Sequence, residues 1–119
     1  MSIENEMFRL QFEDFLWIVF IVLACLNIWG DYDDRLFLRS NNSFYKEESN
    51  RIFNFTLFIT FFIYLYFFIR NYKKYMEVNN YQKKLYSVKL FGSIFLIVGV
   101  ICLLYFQSHQ NSFVGSPAI

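Results

Sequence analysis

Asp31, Asp33 and Asp34 fall within four residues of one another, dense enough to gather a cation. A calcium loop, however, needs its acids at alternate positions followed by a glycine, and that D-x-D-x-D-G spacing is absent. The three are read as solvated acids beside a membrane. Cys25 and Cys102 are far apart and each lies in an apolar stretch, and His109 is the sole histidine. A zinc site needs four convergent ligands at recognisable spacing, so no metal is assigned. No Gly-rich phosphate loop occurs, and the serines and His109 stand singly, without a partner base or nucleophile. The inventory predicts no enzyme, no catalytic residue and no cofactor.

Other chemistry-bearing residues are sparse. Val22-Leu23-Ala24-Cys25 resembles a degenerate lipoprotein cleavage box, but the apolar run continues beyond the cysteine to Trp29. The preceding residues are acidic (Glu4, Glu6, Glu13 and Asp14 against Arg9), whereas a signal peptide opens on a basic segment. An uncleaved first helix is therefore expected. Asn41-Asn42-Ser43 would accept a glycan only in a eukaryotic secretory setting. Net charge is +1, too small an excess of basic residues for binding a nucleic-acid backbone.

The elements that carry these residues are plain. Phe15 to Gly30, Ile52 to Ile69 (closing at Arg70) and Leu90 to Phe106 contain no charge inside their apolar runs. As helices they cover about 24 to 27 Å, near the hydrocarbon thickness of about 30 Å. The third run holds twelve Leu, Ile, Val or Phe residues, which sum to about −4 to −7 kcal/mol of insertion free energy. All three runs are apolar all round, where a soluble bundle needs a polar stripe. The expected fold is an all-α membrane protein: one three-span domain over residues 1–119, with spans at about 15–30, 52–70 and 90–106. Helices 2 and 3 form an antiparallel hairpin extended on the cytoplasmic side. An outer loop is expected over 31–51, in which Leu36-Phe37-Leu38 dips into the interface, and a basic cytoplasmic hairpin over 70–89. Aromatic residues make up 24% of the chain, an excess that A/T-rich codons for Phe and Tyr explain without a ligand box.

Orientation follows from the basic residues. Arg70, Lys73, Lys74, Lys83, Lys84 and Lys89 face only Glu77 in the second loop, while the first loop offsets its basic residues with acids. Positive-inside then places the N-terminus in the cytoplasm and the C-terminus outside a cell membrane. Arg70, Lys73 and Lys74 share one helical face, and the six cations are candidates for lipid headgroups. Asn79-Asn80 is the expected break, with the third helix restarting near Gln82. The uncharged tail from Asn111, with its Ser-Pro, reads as extended or turn.

Inside the spans only weakly polar groups remain. Thr56, Thr60 and Tyr64 recur every fourth residue on the second helix, and Gly92 and Gly99 mark one face of the third. Depth brings Thr60 level with Gly99 and Tyr64 level with Ser93, so these six residues are candidates for helix packing through close approach and interhelical hydrogen bonds. Depth also permits a Cys25–Cys102 pair. No ionisable group lies in the runs, which weighs against ion or proton conduction. The expected function is a small non-catalytic accessory, regulatory or immunity-type membrane protein. Its partners would be the lipid bilayer and a membrane-protein partner or a second copy. The alternative is an oligomeric pore, holin-like or small carrier subunit.

Overall fold

The computed structural model describes residues 3–110 and 112–117. Three helices account for nearly all of them: α1 (Ile3–Ser40), α2 (Ser43–Glu77) and α3 (Asn80–His109). Each is long and apolar enough to cross a membrane. They lie side by side in a slab of 59 × 26 × 14 Å, one helix thick. The middle helix, α2, packs against both neighbours, and among the described residues α1 and α3 do not come within packing distance of each other.

The α1–α2 seam explains this length. On α1 the inward positions are Glu13, Leu16, Phe20, Leu23, Asn27, Gly30 and Asp34, alternating steps of three and four. On α2 they are Lys46, Ser49, Phe53, Thr56, Thr60, Ile63, Phe67 and Arg70, with the same alternation. That pattern keeps one face turned to a partner helix over many turns, as in coiled coils. The register is antiparallel and constant: Glu13 meets Arg70, Asn27 meets Thr56, and Asp34 meets Ser49. Leu16, Leu23 and Ile63 form the apolar centre, flanked by Val19, Phe20, Leu26 and Ile59.

On α3 the buried positions Ser93, Val100 and Gln107 are seven apart. They meet a second stripe on α2, exemplified by Asn50, Leu57 and Asn71, one residue on from the first. Two adjacent stripes put both neighbours towards one side of α2. That side becomes the floor of a cleft, and its opposite side is left uncovered.

The expected outer loop over 31–51 is instead helix. The α1 helix continues to Ser40, where Asn41 takes the left-handed conformation (φ 56°) and its N–H donates to the Phe37 carbonyl at 2.7 Å. Asparagine tolerates this conformation better than most residues, so the helix stops there. Asn42 then caps α2, its side-chain oxygen accepting from the Phe44 N–H at 3.0 Å. Leu36-Phe37-Leu38 accordingly sits on a helix. The loop reading failed because the charges of 31–51 end the apolar run without ending the helical pattern. At the other end Asn79 caps α3 through the Gln82 N–H, within a residue of the expected break.

Candidate functional site: two polar layers and a cleft

Polar side chains gather at both ends of the slab. At the end holding the start of α1 and the α2–α3 turn (the N-terminal end), Glu13 is 6% exposed although it carries a charge. Arg70 of α2 donates to one of its oxygens at 2.9 Å, and Arg9, one turn back on α1, donates to the other at 3.0 Å. The Tyr66 hydroxyl lies 3.3 Å from the same carboxylate. A buried carboxylate is tolerable only when so paired. Arg9 also bonds Glu6 at 2.8 Å, which lowers the Glu6 carboxyl pKa and raises that of Arg9. The Arg70 guanidinium lies 4.8 Å from the centre of the Phe67 ring, a cation–π contact. On the α3 side the Asn71 amide donates to the Ser93 hydroxyl at 2.5 Å, and that hydroxyl reaches the Lys89 carbonyl at 3.3 Å.

The other layer lies at the end formed by the α1–α2 turn and the C-terminal segment (the tail end). Asp34, 1% exposed, receives the Ser49 hydroxyl at 2.5 Å, the Lys46 ammonium at 3.4 Å and the Gly115 N–H at 2.8 Å. Lys46 also donates to the Phe113 carbonyl. Asn50 accepts from both Gln107 and Gln110 at 3.1 Å. Residues 112–117 thus strap back over the α1–α2 hairpin, with Phe113 edge-on to Phe106 at 5.4 Å. The tail is irregular, as expected, but tied down; Asn111 and residues 118–119 lie outside the described residues. Beneath this layer Gly30 faces Phe53, which is wholly buried. A Cβ at position 30 would come within 2.6 Å of the Phe53 ring, so only glycine admits it.

Of the acids first read as solvated, Asp33 and Asp34 are buried, and Asp31 is half-buried. Burial, followed by a hydrogen bond and like charge from Glu48, pushes the Asp33 carboxyl up to about 6. Below that value a protonated Asp33 can donate a hydrogen bond to Glu48, whereas two charged carboxylates only repel each other. No group of three or more metal-ligating side chains occurs among the described residues.

Between the layers the expected packing residues are redistributed. Thr56 does not dock on α3: its hydroxyl lies 2.9 Å from the Asn27 oxygen on α1 and 3.0 Å from the Phe53 carbonyl. Thr60 returns its proton to the Thr56 carbonyl at 2.7 Å. Gly92 and Gly99 are exposed, with nothing within 4 Å of where a Cβ would stand, so the proposed Thr–Gly contact is not made. The buried face of α3 lies one residue further on, at Ser93 and Val100, a rotation of about 100°. Ser93 is the one α3 candidate placed in the contact, bonded to Asn71 and not to Tyr64. Cys25 and Cys102 are free and exposed on helices with no Cα pair within 8 Å among the described residues.

Tyr64 instead helps line the cleft between α1 and α3, a hollow of about 860 Å³ floored by α2. Trp17, Phe20, Phe67 and Leu96 make its walls, and Glu13, Arg70, Asn71 and Lys89 close its N-terminal end. There it meets a smaller hollow of about 320 Å³ that shares Arg70, Asn71 and Lys89 and adds Arg9, Lys73 and Lys74. Of the six candidate headgroup cations, four therefore converge on one place. Lys83 instead lies over the Tyr75 ring at 5.4 Å, and Lys84 is exposed on the first turns of α3.

No family model, curated protein or solved structure matches this chain. The site must be interpreted from its own geometry. The signals that could have found its missed members are the heptad spacing from Glu13 to Asp34 and its mirror from Lys46 to Arg70. Both stripes run past the limits of the apolar runs.

Proposed function

We propose that this protein is a non-catalytic accessory, regulatory or immunity-type subunit that docks a partner membrane protein. Its N-terminus and α2–α3 turn lie in the cytoplasm, and its C-terminal segment lies outside the cell membrane. The observation that carries the reading is the uncovered side of α2. Phe55, Phe58, Phe62 and Ile69 recur at helical spacing there and are about half exposed, at the centre of the slab. Phe58 and Phe62 stack edge-to-face at 4.9 Å, forming a firm ridge. Helices in lipid associate through van der Waals complementarity and not through hydrophobic expulsion, so a rigid aromatic ridge flanked by two parallel helices is a suitable surface to match. The polar side chains Asn27, Thr56 and Thr60 are turned into the α1–α2 seam, which supports a packed scaffold over a hydrated path.

A photo-reactive phenylalanine analogue at position 58 or 62 tests this in native membranes. Position 21 on α1, also exposed, serves as the control. A discrete hetero-adduct from 58 and 62 but not 21 is expected. Adducts of the chain with itself, or ion conductance by the purified chain in liposomes, would move the reading to an oligomeric assembly.

A further inference from the structure

The cleft on the opposite side of α2 asks for a different occupant. We propose that it binds one anionic phospholipid, with acyl chain along Trp17, Phe20, Phe67 and Leu96 and phosphate between Lys89 and Arg70. This goes beyond the partner reading, which rests on the uncovered side of α2.

Three observations converge. First, the cleft is amphipathic along its length: charged and amide groups close one end only, and aromatic and aliphatic side chains line the rest. A second hollow beyond Tyr64 continues it between Leu23, Leu57, Val100 and Leu103, where the polar lining is neutral (Asn27, Thr56 and Thr60), so the charged groups stay at the mouth. Second, the mouth has an uncompensated positive charge. Glu13 and Glu6 are engaged by Arg9 and Arg70, whereas Lys73, Lys74 and Lys89 have no carboxylate within 4 Å among the described residues. Glu77 is the remaining acid around that mouth. Third, Arg70 and Lys89 stand where the apolar runs of α2 and α3 end, which is the depth of lipid phosphates.

Size favours a lipid over a helix. A spanning helix about 10 Å across and about 30 Å long displaces more than twice the volume of this cleft. Its 860 Å³ falls within the range of about 300 to 1,000 Å³ common for small-molecule sites. Because no Cα of α1 comes within 8 Å of a Cα of α3 among the described residues, the cleft lies between two separated backbones, and a chain can enter it sideways from the bilayer.

Trp17 lines the cleft and provides the readout. The full-length protein with Trp29→Phe, leaving Trp17 as its one tryptophan, is reconstituted in phosphatidylcholine vesicles. These contain a minor fraction of phosphatidylglycerol, and the bromine is carried on the chains of one lipid or the other. Trp17 should be quenched by brominated phosphatidylglycerol at several-fold lower mole fraction than by brominated phosphatidylcholine. Lys89→Gln combined with Lys74→Gln should remove most of that preference, since each cation contributes up to about fivefold, the equivalent of about 1 kcal/mol near a charged surface. Lys84→Gln, which alters charge outside the mouth, should leave it unchanged. Equal quenching by the two lipids overturns the proposal, as does an equal loss on Lys84→Gln, which would indicate diffuse surface charge. Relief of quenching by inorganic phosphate would identify a free-anion site and overturn the lipid reading. None of these outcomes depends on crosslinking from positions 58 and 62, so the two readings fail separately.

Discussion

The two polar layers of this molecule solve opposite problems with similar side chains. At the tail end, one carboxylate (Asp34), one ammonium (Lys46) and a hydroxyl are sealed beneath the C-terminal strap and above the Gly30–Phe53 contact. At the N-terminal end, Glu13 is shared by two arginines, and the layer opens sideways into the cleft with cations to spare. Buried ion pairs contribute little net stability but are costly to break. A sealed layer therefore fixes register, and an open one is free to bind. The difference teaches that charge at the end of an apolar run can be structural or functional, depending on whether the next segment covers it.

The largest effect should come from breaking the sealed layer. Asp34→Ala leaves Lys46 buried without a carboxylate and removes the acceptor of the Gly115 N–H. A loss of about 3 to 5 kcal/mol is expected in detergent unfolding, together with protease sensitivity of the C-terminal segment. A loss below about 1 kcal/mol would show that the strap and not the ion pair holds this end. Gly30→Ala comes next. Its Cβ would meet the Phe53 ring at 2.6 Å, and that ring is wholly buried. Overpacking of this kind costs about 1 to 3 kcal/mol, and Gly30→Ala paired with Phe53→Leu should recover part of it. If Gly30→Ala alone is neutral, α1 and α2 approach less closely than described.

Glu13→Gln should cost less than Asp34→Ala. The amide keeps a hydrogen-bonding oxygen for Arg70, and the half-buried guanidiniums can reach water. About 1.5 to 3 kcal/mol is expected, the scale of a hydrogen bond to a charged group. Unlike the tail-end change, it raises the positive charge of the cleft mouth and should strengthen the phosphatidylglycerol preference read at Trp17. A larger loss than that of Asp34→Ala would invert the comparison between the ends.

Much of this fold is legible in the sequence. The three spans are set by uncharged runs, and the α2–α3 break by paired asparagines. What escaped was where the helices face. A run that is apolar all round gives no phase, so residue size alone points to the Gly92/Gly99 face, one residue off the buried Ser93/Val100 line. The phase was written outside the runs: Glu13 and Asp34 lie on the same heptad stripe as Leu16 and Leu23, and Lys46 and Arg70 on that of Phe53 and Ile63. Because these charges lie beyond the apolar runs, the runs by themselves give neither the register nor the cleft. The expected acidic loop failed for the same reason, because Asp33 and Asp34 are acids that continue a helical seam.

The smallest predicted effect tests that seam through pH. Asp33 titrates near 6 in the folded protein against an ordinary value of 3.8, because it is buried and faces Glu48. Between those two values the folded chain holds a proton that the unfolded chain has released. Stability must therefore fall as pH rises from about 4 to about 6, and level off above. The part of this penalty that titrates between pH 5 and 7.5 is on the order of 1 kcal/mol. Thermal unfolding in detergent should accordingly give a higher Tm at pH 5 than at pH 7.5. Asp33→Asn should raise the Tm at pH 7.5 and flatten that dependence, since the amide is neutral throughout and can donate to Glu48. Carboxylates protonating elsewhere work against the trend below pH 5, so the window between 5 and 7.5 carries the test. A Tm that rises with pH across this window, or an unchanged slope in Asp33→Asn, would place Asp33 in water and return the tail end to the solvated loop first expected of it.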